Sequence, residues 1–208
     1  MPVVLALVAW PLVGEATGLF VAAGVVMAAS LGWGRHNEVA FDGTALWLHV
    51  AAAVPGWADR LGRALGTAVW AVPDVALVTG VSTWAAGGRA LAPAAAGTAV
   101  GVLLAGLAVA ALLSSALPYP VPAAGDNPFT TRQGAVGVGL VAQAVAITVS
   151  GVVMTPLVAA LVLAWSVPAA IWPVALVAPV LGAALLAGGV VAGGRVHDRR
   201  ARRVLARL

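Results

Sequence analysis

The chain has 208 residues, of which 62% are hydrophobic and 9% charged, and its mean hydropathy is +1.04. A soluble domain carries about a quarter charged residues and about half apolar ones, so one soluble domain is excluded and a polytopic membrane protein is indicated. All 11 basic residues are Arg and there is no Cys, which removes disulfides, thiolate metal sites, Cys nucleophiles, Schiff-base chemistry and the Walker A lysine of a P-loop ATPase.

A spanning helix needs about 20 apolar residues. Val3–Val13 is apolar but shorter than that, and Met1-Pro2 opens straight into it with neither the charged lead nor the cleavage site of a signal peptide. It reads as a first span, apparently truncated. Glu15 follows in a short Gly14–Gly18 connection and reads as a headgroup-level turn residue. Thr17–Trp33 is an uncharged stretch of 17 residues, the lower limit for a second span. The long segment 34–64 is polar by comparison. It carries Phe41, Ala45, Leu48 and Ala52 at helical spacing, with Asp42 and His49 on another side. This predicts an amphipathic helix lying at the membrane interface, ended by the Pro55-Gly56 turn. Asp59 and Arg63, at i and i+4, pair on a second short helix.

Leu65–Ala86 predicts the third span, with one charge, Asp74, about 15 Å deep. Pro73 precedes it. Asp74 therefore reads either as a cap on a restarted half-helix or as a polar point on a translocation path. Ala94–Leu117 predicts the fourth span and has no charge. A stiff, extended connector at 118–134 follows, set by Pro118, Pro120, Pro122 and Pro128. The next 60 residues, Ala135–Gly194, hold no charge but four prolines. They predict two spans, about Ala135–Val153 and Ala170–Gly193, with Thr155–Ala169 dipping into the outer face. Trp165 and Trp172 suit an interfacial belt there. Residues 195–208 form an Arg-rich tail.

The fold class expected is therefore all-α: a helix bundle of about six transmembrane helices with amphipathic loop helices. With the C-terminus in the cytoplasm, ten of the 11 Arg fall inside and only Arg89 outside. A seventh span would turn Arg35, Arg60, Arg63 and Arg132 outward, so the positive-inside rule favours six. Six of the Arg lie in the last 14 residues, so the pI of about 11.4 records orientation and not a nucleic-acid footprint. The chain belongs by this reading in the cell membrane, among its lipids, with no nucleic-acid partner.

Two stretches carry a family resemblance. One is Asn37-Glu38-Val39-Ala40-Phe41-Asp42-Gly43-Thr44-Ala45-Leu46-Trp47-Leu48-His49 with Val54-Pro55-Gly56-Trp57-Ala58-Asp59-Arg60-Leu61-Gly62-Arg63. The other is Leu117-Pro118-Tyr119-Pro120-Val121-Pro122 with Gly125-Asp126-Asn127-Pro128-Phe129. Both resemble the permease, in particular its C-terminal half, of a large bacterial type-2 ABC exporter family common in high-GC Gram-positive bacteria. The Arg-only basic set in an Ala/Gly/Val background agrees with a high-GC genome. Such permeases begin a half with a basic interfacial helix, which this sequence lacks. The expectation is that its true start lies upstream, or that it is the second half of a split permease.

The resemblance implies a transmembrane permease subunit of an ATP-driven exporter, with hydrolysis in a separate ABC ATPase chain and a second permease half or a homodimer partner. The chain itself is then no enzyme and holds no cofactor. Glu38, Asp42, Asp59, Arg60 and Arg63 would form the ATPase-coupling loop; as bare residues they also read as ordinary solvated loop charge. Asp74 would mark the translocation path. The alternative function is a structural or assembly membrane protein, or a degenerate permease half without transport.

Other signals carry less. His36, His49 and His197 have no metal-ligand spacing. Ser114 and Ser115 have no base nearby in sequence, so no nucleophile is assigned. No Ser/His set or carboxylate pair supports a membrane-embedded enzyme. Four G-x-x-x-G pairs occur, about what 25 glycines in 208 residues give by chance. Only Gly97/Gly101, followed by Ala105, lies inside a charge-free span where close helix packing is expected.

Overall fold

In the computed structural model, residues 16–122, 125, 127 and 135–205 are described, and every regular element among them is helical. In chain order these are α1 (Ala16–Trp33), a 3-10 helix (Glu38–Ala45), α2 (Leu46–Ala51), α3 (Gly56–Ala85), α4 (Ala92–Ala116), α5 (Ala135–Ser166), a 3-10 turn (Pro168–Ala170) and α6 (Ile171–Leu205). Four of them, α3, α4, α5 and α6, are long and apolar enough to cross a membrane, and α1 is a shorter apolar helix. The predicted first span, Val3–Val13, and Glu15 lie outside the described residues.

Local chemistry sets the helix ends. Pro93 opens α4 at a position where its missing N–H is no loss. The same helix stops at Leu117 because Pro118 disfavours a helical residue before it; Leu117 has φ −136° and ψ 50°. Gly87, at φ +94°, ends α3 in the left-handed region that side chains avoid. Its N–H donates to Trp84 O at 3.1 Å and that of Gly88 to Thr83 O at 2.9 Å, the paired bonds of a Schellman cap.

α4 runs through the middle, in contact with α1, α3, α5 and α6. Its length without charge makes it apolar all round, which suits a helix buried on every side. Val102 and Leu103 form the core with Val21, Val75, Met154 and Leu161. The tightest seam joins α4 to α6. There Gly97 meets the Ala175 backbone, Gly101 and Gly182 meet each other, Gly189 meets Ala108 and Gly193 meets Ala111. A Cβ on Gly182 would stand 2.6 Å from Gly101 O, so this approach is open only to glycine. Thus Gly189/Gly193, dismissed as chance in the sequence, lie on the same seam as Gly97/Gly101.

Three predicted boundaries move. α3 begins at Gly56, not Leu65, and absorbs the short Asp59–Arg63 helix, because nothing between Gly56 and Pro73 breaks it. α5 continues through Pro156 to Ser166, 13 residues past the predicted end. Pro156 withdraws one N–H, and beside it Thr155 Oγ1 donates to Gly151 O at 2.6 Å, a side-chain bond one residue before the gap. The connection that was expected to dip therefore shrinks to Val167–Ala170. α6 likewise runs through Pro173 and Pro179 and takes the start of the Arg tail as its own last turns. At 35 residues it is about 52 Å long, more than the hydrocarbon core requires.

Candidate functional site

The charged residues singled out in the sequence gather at one end of the bundle. Here α1 ends, α3 begins, α4 ends and α6 carries its Arg residues. The path from α1 to α3 starts with a tight turn, Gly34 N donating to Ser30 O at 2.8 Å. His36 is buried beneath it and stacks on Trp33 at 4.8 Å between ring centroids. Its Nδ1 lies 2.8 Å from Trp33 O and its Nε2 3.1 Å from the Tyr119 hydroxyl. Trp33 O only accepts, so the neutral ring carries its proton on Nδ1 and Nε2 accepts from Tyr119. Asn37 closes a second tie. Its Nδ2 donates to Tyr119 O at 3.0 Å, and Tyr119 N donates to Asn37 Oδ1 at 3.1 Å. The Pro-Tyr-Pro connector after α4 is thereby pinned to the start of the segment 38–51.

Asp59, in the first turn of α3, is the hub of the charged group. Its carboxylate takes the Arg60 guanidinium on one side and Arg63 Nε on the other, at 3.1 and 3.2 Å to the two oxygens. His49 Nδ1, from α2, lies 3.0 Å from Asp59 Oδ1. Arg63 then reaches across to Asp42 with both terminal nitrogens, at 3.0 and 2.5 Å, a fork on a carboxylate. Arg60 is wholly buried. It donates to Ser114 Oγ on α4 at 2.9 Å and stands 3.8 Å from Glu38. Glu38 in turn receives Arg35 Nε at 3.1 Å. Across from these, Asp198 on α6 accepts the Gly56 N–H at 2.8 Å and so caps α3 from another helix.

All five coupling-loop candidates, Glu38, Asp42, Asp59, Arg60 and Arg63, therefore form one connected network. The predicted Asp59–Arg63 pair is present. Sequence reasoning missed Ser114, Asp198, Arg35 and the Asn37–Tyr119 tie as members. The partners of Ser114, Asp198 and Asn37 are 54 to 142 residues away, where no spacing rule reaches, whereas Arg35 and Glu38, at i and i+3, were within reach of one. A cleft of about 510 Å³ between α1 and α3 is bordered by Ser30, Leu31, Arg35, Arg63, Thr67 and Trp70. Its two Arg are already committed to Glu38, Asp42 and Asp59. Among the described residues no group of three or more His, Asp or Glu is arranged to hold a metal ion.

Burial pushes the Glu38 carboxyl above its ordinary value, and the nearby Arg35, Arg60 and Arg63 offset only part of that. A raised folded value means that Glu38 favours the fold below pH 4.5 and loses that contribution as pH rises through the folded value. Glu38→Gln is then expected to gain thermal stability relative to the wild type as pH climbs from about 4 to 7. A difference in melting temperature that stays constant over this range would contradict the assignment.

Asp74 stands apart. α3 passes Pro73 without a break, so Asp74 caps no restarted half-helix. Its side chain is exposed on the outside of the bundle and not turned toward the other helices. Among the described residues it has no hydrogen bond or ion pair. A carboxylate held at mid-span costs about 2.5–3.5 kcal/mol.

No protein-family model, no curated protein and no solved structure matches this chain.

Proposed function

We propose that the chain is the transmembrane permease subunit of an ATP-driven exporter in the cell membrane, driven by a separate ABC ATPase chain and completed by a second permease half. The reading begins from the sequence resemblance. One structural observation supports it above the rest. The segment 38–51 is fastened to the first turns of α3 by the Arg63 fork on Asp42, by His49 on Asp59 and by Arg60 beside Glu38. A docked motor that displaced this segment would move α3, and through Ser114 and Asp198 it would load α4 and α6 as well. Bistable packing of that kind turns a local push into rocking of whole helices. Orientation follows the charges. Arg35, Arg60, Arg63, Arg195, Arg199 and Arg200 share the polar end and Arg89 the other, so the positive-inside rule assigns the polar end and the C-terminus to the cytoplasm.

A structural or assembly membrane protein is the second reading. It draws on the balance of the network, in which Arg35, Arg60 and Arg63 face Glu38, Asp42 and Asp59. Co-purification with an ABC ATPase separates the two. Asp42→Ala should leave the bundle's stability within about 1 kcal/mol, because the Asp42–Arg63 pair is partly exposed. The same change, or deletion of residues 40–56, should abolish stimulated ATP hydrolysis. A stable complex indifferent to both changes would rule out the coupling segment. Failure of any ATPase to bind would favour the structural reading.

A further inference from the structure

The carboxylate of Asp74 has company on its face of α3. Trp70, Leu77, Val78 and Val81 are each about half exposed or more. An apolar helix face thus presents a carboxylate without a donor. Its depth is fixed by packing. Gly80 lies against Ala96, so Asp74, six residues nearer the polar end, is level with the middle of the buried helix α4.

Lipid tails offer no donor at that depth. This chain offers no cation there either. Within its long helices Arg occurs only at positions 60 and 63 of α3 and beyond Gly194 of α6, all at the polar end, while Arg89 follows the far end of α3. Residues 1–15 contain no Arg, and Arg132 falls in the sequence between α4 and α5. A second copy of the chain would bring the same face and oppose carboxylate to carboxylate, which is repulsive.

We propose that this face of α3 binds a transmembrane helix of a different protein, one carrying an Arg or Lys at mid-membrane that donates to Asp74. The site needs only that α3 spans the membrane and stands whether or not the chain is a permease. It makes the chain an obligate half of a hetero-assembly, with Trp70 and Leu77 packing beside the ion pair. A polar pair of this kind supplies partner choice where apolar contact alone discriminates poorly between helices.

The test reconstitutes the full chain in phosphatidylcholine vesicles with a fluorescent poly-leucine transmembrane peptide bearing one central Arg, and with an all-leucine peptide as comparison. The Arg peptide should associate about tenfold more tightly. Asp74→Leu should erase the preference, and the isosteric Asp74→Asn should remove most of it. Because the chain has no Cys, introduced thiols report position alone. A thiol-reactive group at the peptide centre should capture Leu77→Cys and not Val180→Cys, a control on the exposed side of α6. Equal binding of the two peptides, an Arg preference that survives Asp74→Leu, or equal capture at Val180→Cys would overturn the proposal. So would a disulfide-linked dimer formed by Leu77→Cys without peptide, since a second copy would then cover this face.

Discussion

Arg60→Met is expected to destabilise the chain by about 3–5 kcal/mol, the cost of leaving buried carboxylates without their cation. Arg60 is fully buried and holds Asp59, Glu38 and Ser114 together, so α3, α4 and the 38–51 segment lose a common anchor. Met keeps much of the volume, so the loss reports charge and hydrogen bonding more than a cavity. The measurement is thermal or denaturant unfolding of the purified chain followed by tryptophan fluorescence. The network also predicts strong coupling. Asp59→Asn should cost markedly less in the Arg60→Met background than in the wild type, because the partner is already gone. A destabilisation below about 1 kcal/mol, or additive effects of the two changes, would show that the buried network does not act as a unit.

The second large effect lies in the seam between α4 and α6. Gly189→Leu should separate the two helices and lower stability by several kcal/mol, above the roughly 1–3 kcal/mol of ordinary overpacking, because the obstruction is the Ala108 backbone and not a movable side chain. Its neighbour supplies the control. A side chain on Gly188 meets nothing within 4 Å, so Gly188→Ala should be neutral or stabilise by about 0.4–1 kcal/mol through the unfolded state. Unfolding of the two variants side by side checks the contrast. Equal effects would mean that the close approach of α4 and α6 is not what these glycines serve.

Those contrasts show where reading the sequence stops. The limits of α1 and α4 were legible because charge-free length and a following proline are local signals. Asp59 with Arg63 was legible because four residues are one helical turn. The partner of Arg63 on the other side, Asp42, is 21 residues away, and its role emerges only when the chain has folded back. The same holds for Ser114 and Asp198. Prolines 156, 173 and 179 misled because a proline reads as a break, whereas α5 runs on through Pro156, α6 through Pro179, and Pro173 sits in the first turn of α6, where its missing N–H is no loss. The direction of Asp74 was hidden for another reason. Val, Ala and Leu surround it in sequence, so the apolar pattern does not distinguish the face packed on α4 from the face left open.

The cap on α3 has a consequence for the order of assembly. Gly56 N–H finds its acceptor on Asp198, 142 residues further along. During synthesis the first turn of α3 leaves the ribosome long before that carboxylate exists. Its Asp59–Arg63 link forms early, being local, but the start of the helix stays open until the last helix has been made and seated against α4. The polar end is thus closed only once α6 is seated against α4 and its Asp198 has reached Gly56.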